Sequence, residues 1–144
     1  MKYQIKKLHI NNFNVYEENK LTARSYFIPY SKKSNLLAQN VCTERYNSEL
    51  VTVLSGEWKF KYFERISRLP GNIDTDKMNF DTIKVPSTWQ RTGYEPPVYL
   101  NCPYEIETKP PFLPEDMSAG IYRKTFDVDN LNKVYLINFL GVIP

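Results

Sequence analysis

LVTVLSGEWKFKYF, residues Leu50 to Phe63, is the stretch whose reading decides the fold. Beyond Gly56 it alternates. Trp58, Phe60 and Tyr62 fall on one side, and Lys59 and Lys61 on the other. A period of two with one apolar side is the pattern of a half-buried strand. The Ser55-Gly56 pair in front of it supplies a turn. Downstream, DTIKVPSTW (Asp81 to Trp89) contains a short strand that Pro86 ends, because proline cannot donate to a sheet ladder. GIYRKTFDV (Gly120 to Val128) alternates less regularly, with Tyr122, Thr125 and Phe126 set among Arg123 and Lys124. In KVYLINFLGV (Lys133 to Val142), Val134, Leu136, Asn138 and Leu140 share one face and Tyr135, Ile137 and Phe139 the other. The expectation there is a strand buried on both sides. Upstream, ARSYFIPY (Ala23 to Tyr30) fits a short edge strand or an extended arm closed by Pro29. Residues 31–48 read as loop and the first twenty as an irregular lead-in. No segment carries a convincing helical period. Short strands separated by turn signals give an all-β sandwich.

Between the second and third strand candidates lies VPSTWQRTGYEPPVYLNCPYEIETKPPF, Val85 to Phe112, with Trp89, Tyr94, Tyr99 and Tyr104 among prolines. Prolines 86, 96, 97, 103, 110, 111 and 114 make up seven of the chain's 10, so the region is stiffened rather than hydrogen-bonded into regular structure. Trp89 directly follows a strand, which favours packing beneath this loop over offering a platform to a ligand. Trp58 is a core residue on its strand pattern.

With 144 residues the chain has the length of one domain with its own core. A formal charge of +3, with Lys and Arg interleaved among Asp and Glu, lacks the concentrated basic face of nucleic-acid binders. No apolar run approaches the roughly 20 residues that span a bilayer, and MKYQIKKLHINNFNVYEENK has no apolar signal-peptide core. Cys42 and Cys102 are too few for a disulfide framework and read as reduced thiols of a cytoplasmic protein. They stand sixty residues apart without the close companions a zinc site needs. The lone His9 sits in the polar lead-in and reads as a surface residue. Five scattered glycines build no phosphate loop. Carboxylates are plentiful, but 16 of them make some pair inevitable, so no catalytic centre follows from the residues alone. On the turn preferences of asparagine, Asn101 reads as a residue bonding its own backbone.

LSGEWKFKYF, VPSTWQRTGYEPPVYLNCPYEI, PPFLPEDMSAGIYRKTF and NFLGV follow one another in an order and spacing that resembles glycoside hydrolase family two. The resemblance is to the N-terminal sugar-binding domain of the family's bacterial β-galactosidases, where the text looks like LNGEWKF, VPSNWQ, GY-x-x-P-x-Y-x-N-x-x-YP and NPPFVP. It covers about ninety residues and joins four motifs. It implies a jelly-roll-like β-sandwich (galactose-binding-like), incomplete at the C-terminal end, over residues 46–144, preceded by an arm and loop over 1–45. It also implies that Tyr99-Leu100-Asn101 occupies the motif whose asparagine reaches the substrate pocket. Asn101 is then substrate-binding, and its amide offers two donors and an acceptor to a sugar hydroxyl. Prolines that hold such a loop in one shape lower the entropy lost on binding. Ser55 replaces the usual Asn, and Glu105 the usual Pro.

After Gly141-Val142 the family's sandwich strands, barrel and two catalytic glutamates would follow, whereas here Ile143-Pro144 ends the sequence. The resemblance therefore implies the N-terminal fragment of a β-galactosidase-type hydrolase, inactive alone. Its partners would be a β-galactoside sugar and the remainder of the hydrolase, in a homo-oligomer when full length, without nucleic acid or membrane. No cofactor is expected in this chain, and Mg and Na ions belong to a full-length member if to any. The competing reading is a stand-alone carbohydrate-binding module without enzymatic activity. A third is a remnant that never folds stably.

Overall fold

Gly56 opens the central strand at φ +116°, a left-handed value that a side chain would resist. From there the alternating residues run on as a strand. The computed structural model describes residues 2–4, 12–14, 17–33, 40, 46–97, 111–112, 114 and 117–142. Its strands are β1 (Lys2–Gln4), β2 (Gly56–Phe63), β3 (Asn72–Asp74), β4 (Asp81–Val85) and β5 (Ala119–Arg123). One short helix, α1 (Trp89–Thr92), and a 3-10 turn at Ile66–Arg68 interrupt them. Among the described residues the regular structure is otherwise strand, as an all-β class requires.

β2 is the middle of a three-stranded antiparallel sheet in the order β4-β2-β5. Trp58 lies opposite Ile83 of β4, Phe60 opposite Tyr122 of β5, and Tyr62 opposite Gly120. The expected alternation therefore holds. Phe60 and Ile83 are buried, at 0% and 2% exposure, while Glu57 and Lys59 face out. The Phe60 ring, removed from water, stabilises the sheet by about 1.5–3 kcal/mol. β1 and β3 form a second, two-stranded sheet, with Tyr3 opposite Ile73. Arg123 at the end of β5 ties the turn after β3 to the main sheet: Nη1 donates to the Thr75 carbonyl (2.5 Å) and Nη2 to Asp76 Oδ1 (3.0 Å).

Several expectations are corrected. The lead-in is not wholly irregular, because Lys2–Gln4 pairs with β3. Three residues are too few to show a period, and ladder bonds come from the backbone whatever the side chains. Of the two readings of Ala23 to Tyr30, edge strand or extended arm, the arm holds, since residues 23–30 contain no strand. The Ser48 hydroxyl donates to the Pro29 carbonyl (2.5 Å), and the Ser31 amide donates to Glu49 Oε1 (2.9 Å), which ties the arm to the turn before β2. Helix α1 was invisible to periodicity because it is one turn long. Thr92 Oγ1 donates to the Thr88 carbonyl (3.0 Å), and Gly93, at φ +82°, ends the turn as only glycine does easily.

The largest departure is KVYLINFLGV. Residues 124–142 contain no strand, and the expected burial on both faces is absent: Val134 is 88% exposed, Phe139 68% and Val142 74%. A hydrophobic run becomes a strand only where a neighbouring edge supplies ladder bonds and cover, and none of the described strands pairs with it. What orders its start is a side-chain-stitched turn. Lys133 Nζ pairs with Asp129 Oδ2 (2.9 Å), the Asn130 amide donates to Tyr135 Oη (3.1 Å), and the Tyr135 hydroxyl donates to Asp129.

Candidate functional site

Six aromatic rings gather where β2, α1 and β5 meet. Phe60 lies at its centre, with ring centroids 4.6 Å from Tyr122, 4.8 Å from Tyr94 and 5.8 Å from Trp89. Tyr62 stands 5.5 Å from Trp89 and 5.4 Å from Tyr94. Trp58 meets Tyr122 edge-on at 6.5 Å. Tilted and edge-to-face pairs of this kind add about 0.5–1.5 kcal/mol each beyond the area they bury. The indole N–H groups are both satisfied, that of Trp58 by the Leu54 carbonyl (2.7 Å) and that of Trp89 by Tyr122 Oη (2.6 Å). Trp89 is thus the packing anchor its position after a strand suggests. The cluster requires Gly120. A Cβ there would stand 2.6 Å from both Phe60 Cε2 and Trp89 Cζ2.

The cluster fixes the start of the proline-aromatic run. Tyr94 packs on Phe60 and Tyr62, and the next residue, Glu95, is a hydrogen-bond hub. Its Oε1 accepts from the Tyr62 hydroxyl (3.2 Å) and from the Ser118 hydroxyl, and its Oε2 accepts from Gln90 Nε2 (3.0 Å). Burial pushes the Tyr62 phenol above its ordinary value; the Ser118 hydroxyl opposes this and the Glu95 charge adds to it. Burial likewise raises Tyr94, with further contributions from Asp81 and Tyr122. Beside them runs an open groove of about 690 Å³, lined by Tyr62, Phe63, Glu64, Arg68, Tyr94 and Pro96. Arg68 and Glu64 on its rim are paired at 2.9 Å.

Asn101, the expected substrate-binding residue, lies outside the described residues, as do Tyr99, Tyr104, His9, Cys42 and Cys102. The described structure therefore gives the root of the run and not its tip. Sequence reasoning missed Glu95, Gln90 and Ser118. The one available signal was an acid held between an aromatic residue and a proline pair, Tyr94-Glu95-Pro96-Pro97. Among the described residues no group of three or more His, Cys, Asp or Glu could hold a metal ion, and no helix is long and apolar enough to cross a membrane.

Residues 51–142 match the model of glycosyl hydrolases family 2, sugar binding domain. A β-galactosidase of Staphylococcus xylosus is 34% identical over 140 residues, which is 96% of this chain and 14% of that protein. One from Actinobacillus pleuropneumoniae is 33% identical over 90% of this chain and 12% of its own length. One from Pectobacterium atrosepticum is 43% identical over 58% of this chain and 8% of its own length. The matched region holds β2 to β5, with the aromatic cluster and Glu95. With the strand order built on that cluster and relatives that match along nearly its whole length, the chain belongs to glycosyl hydrolases family 2, through the sugar binding domain.

Proposed function

We propose that this chain acts as the sugar-binding domain of a β-galactosidase-type hydrolase, lending a loop to a substrate pocket whose catalytic groups lie on other domains. The observation that carries the reading is the match to two β-galactosidases over 90% or more of this chain, a length that takes in the proline-aromatic run. The sugar is a terminal β-galactoside, and Asn101 bonds one of its hydroxyls. The chain by itself has no hydrolytic activity, and it works in the cytoplasm. Glycoside hydrolysis uses two carboxyl groups placed about 5–10 Å apart around the scissile bond. Among the described carboxylates, Glu64 is engaged with Arg68, Glu95 with three donors, Asp76 with Arg123 and Asp129 with Lys133.

The exposed apolar residues of 131–142 weigh against a stand-alone carbohydrate-binding module. A domain evolved to act alone rarely leaves such a contiguous patch uncovered. The test is a chimera in which this chain replaces the segment it matches in the Staphylococcus xylosus β-galactosidase. Nitrophenyl-β-galactoside hydrolysis by the chimera is the expected result. A folded chimera that binds no galactoside, with the parent active in the same assay, overturns the reading.

A further inference from the structure

We infer that the groove beside the aromatic cluster, lined by Tyr62, Phe63, Glu64, Arg68, Tyr94 and Pro96, is a binding site for an uncharged pyranoside. The choice of a galactoside among such sugars rests on the function proposed above; the site itself rests on its geometry. That geometry begins with the register of the sheet. The pairing of β2 with β4 ends at Phe60, opposite Asp81, so β2 runs on past that neighbour. On its other side, Tyr62 and Phe63 stand opposite Gly120 and Ala119, which carry almost no side chain. No long cross-strand neighbour covers the two rings. The groove of about 690 Å³ that opens there has the size of a small-molecule site, about 300–1,000 Å³. Its walls are held from behind. Tyr94 packs 4.8 Å from Phe60, Tyr62 packs 5.5 Å from Trp89, and the two tyrosines stand 5.4 Å apart at 38°. Both are half-buried, with part of each ring in the cluster and part open to the groove. Rings already fixed lose little freedom when a ligand arrives, and the C–H face of a pyranose is their apolar counterpart. The rim is polar and electrically balanced. Arg68 Nη1 donates to Glu64 Oε2 at 2.9 Å, and the two side chains are 64% and 66% exposed. That contact occupies one of the five guanidinium donors and one carboxylate oxygen, leaving donors and acceptors side by side for vicinal hydroxyls. The Tyr62 hydroxyl donates to Glu95 Oε1 (3.2 Å), so its oxygen stays available as an acceptor. Among the described residues, the charges lining the groove are Glu64 and Arg68, and they cancel. A neutral ligand rich in hydroxyls matches such a rim. A purely apolar one would cover polar atoms without meeting them, and an ion would meet one attractive and one repulsive partner.

The test uses the purified 144-residue chain and methyl β-galactoside. Saturation-transfer NMR should carry signal from the protein's aromatic protons to the sugar, with a Kd on the order of 1 mM, the reach of a ligand that small. Titration followed in amide spectra should shift Phe63, Glu64 and Tyr94 and leave β3 in place. Arg68→Ala removes an exposed donor without touching the core, which an unaltered melting temperature checks. It should raise Kd about tenfold, the worth of a hydrogen bond to a charged group. Glu64→Gln unbalances the rim, so the corresponding uronate, bound more weakly than the neutral sugar by the parent, should gain about fivefold, as for one repulsive charge removed at about 4 Å in water. No transfer to the sugar overturns the inference. So do shifts confined to other residues, a Kd unmoved by Arg68→Ala, a uronate indifferent to Glu64→Gln, or cyclohexanol bound as tightly as the sugar. None of these results touches the proposed function, which is read from hydrolysis by the chimera. An inactive chimera in turn leaves the groove standing on binding to the chain itself.

Discussion

Gly120 is a single hydrogen atom's worth of space on which the aromatic cluster depends. Both Phe60 and Trp89 approach so closely that a methyl group would overlap them at 2.6 Å, and the neighbours are ring atoms with no flexible end to move aside. Gly120→Ala should destabilise the domain by about 1–3 kcal/mol, the usual cost of overpacking. Urea unfolding measures it, and Phe60→Leu in the same chain should recover part of the loss by vacating the contact. A Gly120→Ala protein as stable as the parent contradicts the packing. Asn101→Ala belongs to the same scale with the opposite signature. In the chimera it should weaken galactoside binding by roughly 1–3 kcal/mol, the cost of a buried polar partner left unmet. Catalytic efficiency falls about ten- to hundredfold with it, while the melting temperature holds. A fall in melting temperature with unchanged kinetics would return Asn101 to the role of a turn residue.

Among the elements, β2 is the one that organises the others, since both neighbouring strands pair with it and its inner face carries Trp58, Phe60 and Tyr62. The turn over 129–135 is held differently, by charge and side chains at the surface. The Tyr135 hydroxyl and then the Lys133 ammonium hold the Asp129 carboxyl down at about 2. A carboxylate depressed in the folded state stabilises above its unfolded value, near 3.8, and its contribution is lost as pH falls through about 2. Carbon-detected NMR titration should therefore find Asp129 still ionised at pH 3. Tyr135→Phe should move its midpoint up toward the ordinary aspartate value, because the hydroxyl is the largest cause. A midpoint that stays put in the variant means the turn is held by Lys133 alone.

For the whole molecule the decisive feature is apolar surface left in water. Leu131, Val134, Phe139 and Val142 are each more than two-thirds exposed along one continuous run. High β-propensity with little charge and no cover is a recipe for edge-to-edge association. Sedimentation velocity on the purified chain should show concentration-dependent association, relieved by Phe139→Ser with Val142→Ser. A sharp monomer with cooperative melting rules this out. The purified chain should also leave nitrophenyl-β-galactoside unhydrolysed. Turnover that one substitution within these 144 residues abolishes would place catalytic groups here after all.

What the sequence determined by itself was whatever depends on short-range pattern. The alternation of Trp58, Phe60 and Tyr62 named the central strand and its buried face, because a strand's period is a property of the chain alone. Asp81 to Val85 was legible from its stop at Pro86, and the motifs from Leu54 to Phe126 carried the family. The packing role of Trp89 followed from its place after a strand. Tertiary structure decided whatever depends on partners. Lys2–Gln4 became a strand only because Asn72–Asp74 offered an edge. Lys133 to Val142, the most strand-like text after β2, did not, because none of the described strands offers it one. Glu95 looked like any loop acid until Tyr62, Gln90 and Ser118, drawn from 33 residues before it to 23 after, converged on its carboxylate. Hydrogen-bond convergence is a three-dimensional fact, and no spacing along the chain encodes it.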